Sequence, residues 1–150
     1  MNEFSISAAI IIISAEGKVL ILQRNANDSF ANKWTVPGGK MNEGDGDFTS
    51  GMDICYYPSE FSAIREVKEE TGVIIKHHEL RFLCTLYLRK INRFIVSYYT
   101  VSEMKADDIS VSLSGSQDYR WVSRDEIKNY EFIPDIGSEI EAVYRLLDKT

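Results

Sequence analysis

Residues 65–73 read Arg65-Glu66-Val67-Lys68-Glu69-Glu70-Thr71-Gly72-Val73. At 100° per residue, an α-helix running into this stretch puts Ala63, Ile64, Val67 and Thr71 on one face, suited to packing on a sheet. Glu66, Glu69 and Glu70 fall on a neighbouring stripe, related by three and four residues. Carboxylates so placed repel one another by roughly a few tenths of a kcal/mol per pair at a surface. A solvated helix usually relieves such a stripe with Lys or Arg four residues on, but Glu66 is followed there by Glu70. Arg65 precedes Glu69 by four and can hold that carboxylate. An all-oxygen cluster suits Mg²⁺ or Mn²⁺, which keep several waters and bridge to phosphates. The geometry alone is equally compatible with a solvated acidic face.

Working outward, the helix is expected to start near Ser59, a capping residue type, with Glu60 in its first turn and Gly72 at its stop. Upstream, residues 40–57 have neither helix nor strand periodicity and are rich in Gly and Asp, a long loop of the functional or mobile kind. Before it, Trp34-Thr35-Val36 reads as a short strand stopped by Pro37-Gly38-Gly39-Lys40, a turn that can bring a carbonyl close to a ligand. Ile6–Ile13 is an apolar, β-branched run that reads as a buried strand, and Val19–Gln23 returns as its hairpin partner.

Downstream, Leu80–Arg89 and Arg93–Val101 read as long strands joined near Lys90–Asn92, and Asp118–Val122 as a further strand. Ser123 with Glu126 three residues on forms a capping-box pattern. Asp135–Leu147 is amphipathic, with Ile136, Ile140, Val143, Leu146 and Leu147 on one side. Strands interleaved with few helices, without repeat or linker, indicate one α/β or α+β domain over residues 1–150 with a mixed sheet.

The chain of 150 residues is 44% hydrophobic and 27% charged, ordinary for a globular protein able to bury its own core. A net charge of −6 excludes the basic footprint of a non-specific nucleic-acid binder. A small anionic substrate stays compatible where metal ions supply local positive charge. Cys55 and Cys84 lack metal-type spacing and read as incidental reduced thiols. The opening residues lack a basic n-region and no apolar run is long enough for a membrane span, so a cytoplasmic protein is expected.

These residues resemble the Nudix hydrolase family, the MutT-like proteins. Its signature runs Gly, five residues, Glu, seven residues, then Arg-Glu-apolar-x-Glu-Glu-x-Gly-apolar. Arg65–Val73 matches the second half at every fixed position, and Trp34–Lys40 is similar to the approach to it. Counting from Gly39, Asp45 stands in the place of the first Glu. Nineteen residues then separate Asp45 from Arg65 in place of seven, an insertion of about twelve. Counting from Gly51 would keep the spacing but meet Tyr57. The segment Gly46–Tyr57 is expected either to fold over the site or to bulge outward. Residues 118–127 look like the family's late strand, turn and helix.

The resemblance implies an αβα sandwich around a mixed β-sheet. It implies metal-dependent cleavage of a diphosphate bond in a nucleoside diphosphate linked to another group. Glu66, Glu69 and Glu70 would hold Mg²⁺ or Mn²⁺, with the Gly39 carbonyl as a fourth ligand and Asp45 as a further candidate. One glutamate, Glu69 first, or a metal-bound water would be the general base, and Arg65 would orient a glutamate. Arg24 would bind phosphate, while Asp118 and Trp34 would contact the base, with Tyr87, Tyr98 and Tyr99 as other stacking candidates. His77 and His78 carry no metal role. Relatives acting on ADP-ribose often have a proline about fifteen residues beyond the signature, and Leu86–Leu88 has none. A nucleoside triphosphate pyrophosphohydrolase is therefore expected, acting as a monomer or homodimer on a small nucleotide. A non-catalytic nucleotide sensor and a nucleotide-sugar or dinucleoside polyphosphate hydrolase are the alternatives.

Overall fold

A computed structural model describes residues 3–48 and 53–150. Its centre is β1 (Ser5–Ile13). Four consecutive isoleucines, Ile10–Ile13, are almost fully buried, so this strand has a core on each face. Ala8, Ile10 and Ile12 point to one side, where Ala63 and Val67 of α1 (Pro58–Thr71) meet them. Ile11 and Ile13 point to the other, against Ile140 and Val143 of α2 (Ile136–Leu147). Each fully buried Ile contributes about 2–3 kcal/mol relative to exposure. Ile6, read as part of the buried run, is 41% exposed and belongs to neither core cluster.

The remaining strands are β2 (Val19–Gln23), β3 (Trp34–Thr35), β4 (Gly38–Lys40), β5 (Arg81–Leu88), β6 (Arg93–Val101) and β7 (Asp118–Val122). Among the described residues they form one seven-stranded mixed sheet, ordered β3-β2-β1-β6-β5. The β1–β6 pairing is parallel, from Ser5 beside Arg93 to Ile13 beside Val101. The others are antiparallel, with β4 on β1 and β7 on β2. One helix lies on each face, the expected αβα sandwich.

Two local readings need correction. The Gly38-Gly39 segment is not a turn. It is an extended strand, with Gly39 opposite Ala8 and Gly38 opposite Ala9. On α2, Leu146 turns outward and Glu139 and Tyr144 are buried instead, because the apolar arc is centred nearer Ile140. The capping-box segment forms a 3₁₀ turn, Arg124–Asn129, with the Ser123 N–H donating to Glu126 Oε1 at 3.1 Å.

Candidate functional site

Helix α1 begins one residue before the expected cap. Pro58 takes the first helical position, where its missing N–H is no loss. Tyr57 precedes it in the left-handed region at φ 58°, and Ser59 lies inside the helix, sharing a 2.7 Å hydrogen bond with the Tyr98 hydroxyl. The stop is as read: Gly72, at φ 75°, donates its N–H to the Lys68 carbonyl. The buried face is Ser62, Ala63, Val67 and Thr71, with Ile64 only half-buried. This orientation turns Glu66 and Glu70 towards β4.

Both glycines of β4 are required, Gly38 by its pairing with β1 and Gly39 by the approach of Glu66. A Cβ on Gly38 would lie 2.5 Å from the Ala8 carbonyl oxygen, and one on Gly39 would lie 2.5 Å from Glu66 Oε2. The Gly38 N–H donates to Glu70 Oε1 at 2.9 Å. Burial pushes the Glu70 carboxyl up to about 7, and the charges of Glu66 and Glu69 add to it. The Gly38 N–H and the Arg24 charge oppose the shift.

Arg65 ties this stretch to the segment after β4. Its Nε and Nη2 donate to the two oxygens of Asp45, at 2.7 and 3.0 Å. Its Nη1 donates to Glu66 Oε1 at 2.9 Å and Glu69 Oε2 at 3.1 Å, and its Nη2 also reaches the Lys40 carbonyl at 3.0 Å. Asp45 is 8% exposed and also accepts the Asn42 N–H at 2.7 Å. The Arg65 guanidinium holds its carboxyl below the ordinary value. Asp45, read as a candidate ligand, thus has both oxygens committed to Arg65.

Among the described residues, no three acidic, imidazole or thiol side chains converge closely enough to hold a metal ion. Arg65 fills the cationic role against Glu66 and Glu69. The donor set nonetheless fits a hard divalent ion in kind. It is all oxygen, Glu66 lies against the Gly39 backbone, and Glu70, its carboxyl raised by burial, stands beside it with the like charges of Glu66 and Glu69.

A cleft of about 470 Å³ opens beside β4, within the range of nucleotide-sized pockets. Arg24, Gly38, Gly39 and Glu70 line it, as do Leu86, Ile95, Ile133 and Ile136. Arg24 is steadied by Ser29, through the carbonyl at 3.3 Å and the hydroxyl at 3.4 Å. None of the described residues of the insert, 46–48 and 53–57, lines this cleft. Asp47 and Tyr56 close the insert's base by exchanging backbone hydrogen bonds of 2.8 and 3.0 Å.

Other sequence candidates lie elsewhere. Trp34 is core, edge-on to Tyr130 at 5.2 Å. Asp118 pairs with Arg120 at 2.6 Å. Tyr98 is buried against α1, Tyr99 packs on the α2 core, and Tyr87 stacks on Phe94. His77 packs edge-on to Tyr57.

One cleft residue escaped the sequence reading. Glu139 of α2 is 8% exposed and accepts the Ser97 hydroxyl at 2.7 Å. Burial raises its carboxyl above the ordinary value, and the Ser97 and Cys84 hydrogen bonds oppose this. Its signal was its place on the apolar stripe, three residues after Ile136 and one before Ile140, where a carboxylate is out of pattern.

A family model described as NUDIX domain matches residues 3–52. The chain is 30% identical over 129 residues to the Bacillus subtilis protein YvcI, an uncharacterised Nudix hydrolase, covering 84% of this chain and 71% of that one. In structure it is similar to a MutT/nudix family protein from Enterococcus faecalis, with TM-score 0.72 and 20% identity. That match covers 99% of this chain but 64% of the Enterococcus protein, so the chain spans less than two thirds of it. It is also similar to the NUDIX domain of Shewanella oneidensis NrtR, solved in complex with ADP ribose. There the TM-score is 0.75 at 19% identity, over 98% of this chain and 90% of that one. No helix among the described residues is long and apolar enough to cross a membrane.

Proposed function

The chain belongs to the Nudix hydrolase family, and from that premise we propose that residues 1–150 form one metal-dependent hydrolase domain. It cleaves a diphosphate bond in a nucleoside diphosphate linked to another group. The substrate proposed is a nucleoside triphosphate, released as monophosphate and pyrophosphate. The observation that carries this reading is the seating of Glu66 and Glu70 against Gly38-Gly39 at the edge of a cleft that also holds Arg24.

In this reading Glu66, Glu69, Glu70 and the Gly39 carbonyl hold Mg²⁺ or Mn²⁺. When bound, the ion supplies positive charge to the phosphate oxygens and lowers the pKa of a coordinated water. Glu69 serves as general base, its side chain 59% exposed with Oε2 held by Arg65. Arg65, anchored on Asp45, positions Glu66 and Glu69. Arg24 pairs with phosphate. Asp118, in an exposed pair with Arg120, and Trp34, packed in the core, do not line the cleft.

The test is a panel of nucleoside triphosphates, ADP-ribose, a nucleotide sugar and a dinucleoside polyphosphate, each with Mg²⁺ or Mn²⁺. Pyrophosphate and monophosphate are expected from a triphosphate, with loss of turnover in chelator. Glu69→Gln is expected to lower kcat by about 10²–10⁴-fold with folding intact. Turnover confined to another panel member would move the substrate assignment. Tight binding without turnover across the panel would replace the hydrolase with a nucleotide sensor.

A further inference from the structure

Glu139 lines the same cleft as Gly38, Gly39 and Arg24. Its Oε1 accepts from Ser97 Oγ at 2.7 Å and Cys84 Sγ at 3.7 Å. Its Oε2 is buried with no hydrogen-bond partner among the described residues. The neighbouring charge acting on it, Asp135, has the same sign. A carboxylate oxygen held out of water without a donor is costly, and such groups in native proteins call for a reason. The walls beside it, Leu86, Ile95, Ile133 and Ile136, are apolar and suit the face of a heterocycle.

We infer that Glu139 is a specificity residue whose free oxygen accepts a hydrogen bond from an exocyclic amino group of the substrate's base. This deepens the nucleotide reading above and rests on it. In its carboxylate form Glu139 only accepts, so that form favours an amino edge and disfavours a carbonyl edge. Ser97 and Cys84 occupy Oε1, which leaves room for one N–H donor. The phosphate-directed groups Arg24 and Gly38-Gly39 lie in the same cleft, so base and phosphates of one ligand can meet the two polar sets together.

The experiment is calorimetric binding of 5′-diphosphates in chelator, where no turnover occurs. Guanosine is compared with inosine, and adenosine with purine riboside, each pair differing only by the amino group. Wild type is expected to bind the amino-bearing member of at least one pair about tenfold more tightly, the worth of one buried hydrogen bond. Glu139→Gln keeps an acceptor for Ser97 but turns an NH₂ to the cleft, and should bring that ratio to near one with an unchanged melting temperature. Equal affinity within both pairs overturns the inference, as does a ratio that survives in Glu139→Gln. Should that variant not fold, the wild-type ratios decide alone. Hydrolysis of the panel without base discrimination sinks this inference and leaves the hydrolase standing. Absence of both nucleotide binding and turnover sinks the two together.

Discussion

A methyl group added at Gly39 would meet the Glu66 carboxylate, the far end of a flexible side chain. The backbone can therefore survive the change while Glu66 cannot keep its place. Gly39→Ala is expected to leave the melting temperature within a few degrees and to lower kcat by about 10²-fold, the usual effect of a misplacement near 1 Å. Circular dichroism melting beside the pyrophosphate assay checks both halves. This residue also shows how far sequence reading reached. Its importance was legible, but the reason differed: the pair was read as a turn, whereas an extended glycine is needed because a helix carboxylate rests on it. The spacing of Glu66, Glu69 and Glu70 was legible because helical periodicity is local. The bidentate grip of Arg65 on Asp45 was not, because it joins residues 20 apart across an interruption.

At the scale of elements, the core strands and both helices were legible from apolar runs and periodicity. Helix α1 was misjudged at its start because Pro58 outranked Ser59 there. The insert is the element whose role its composition could not decide. Its base is pinned by the Asp47–Tyr56 bridge, and its described residues do not line the cleft. Replacing residues 48–55 by a two-residue Asn-Gly turn should close a short hairpin on that bridge. KM for the best substrate is expected to change by less than about twofold, and stability by roughly 1 kcal/mol or less, since loop closure depends weakly on length. A tenfold rise in KM would instead make the insert part of the cleft.

For the whole molecule, two acids, Asp45 buried and Glu70 half-buried, pull stability in opposite directions with pH. Asp45 is held below its ordinary value by Arg65, so its contribution is present above the ordinary carboxylate range and is lost as pH falls. Glu70 is raised to about 7 from 4.5, so folding is favoured at low pH and loses up to about 3 kcal/mol as pH rises between those values. A cation beside Glu70 would remove that penalty only where the carboxyl is ionised. The rise in melting temperature on adding Mg²⁺ is therefore expected to be larger at pH 8 than at pH 5. An equal rise at both values, measured by scanning calorimetry, would place the ion away from Glu70.

The parallel pairing of β1 with β6 joins residues 5–13 to residues 93–101. During synthesis, the strand that supports both helices and Gly38-Gly39 has its main partner only after about two thirds of the chain has been made. Until then a run of four isoleucines has one edge unpaired, a segment of the kind that aggregates when exposed. Pairings this distant in sequence close slowly. The assembly of the site is thus a late event in the life of each new chain, and expression at low temperature or with holding chaperones should raise the yield of soluble protein.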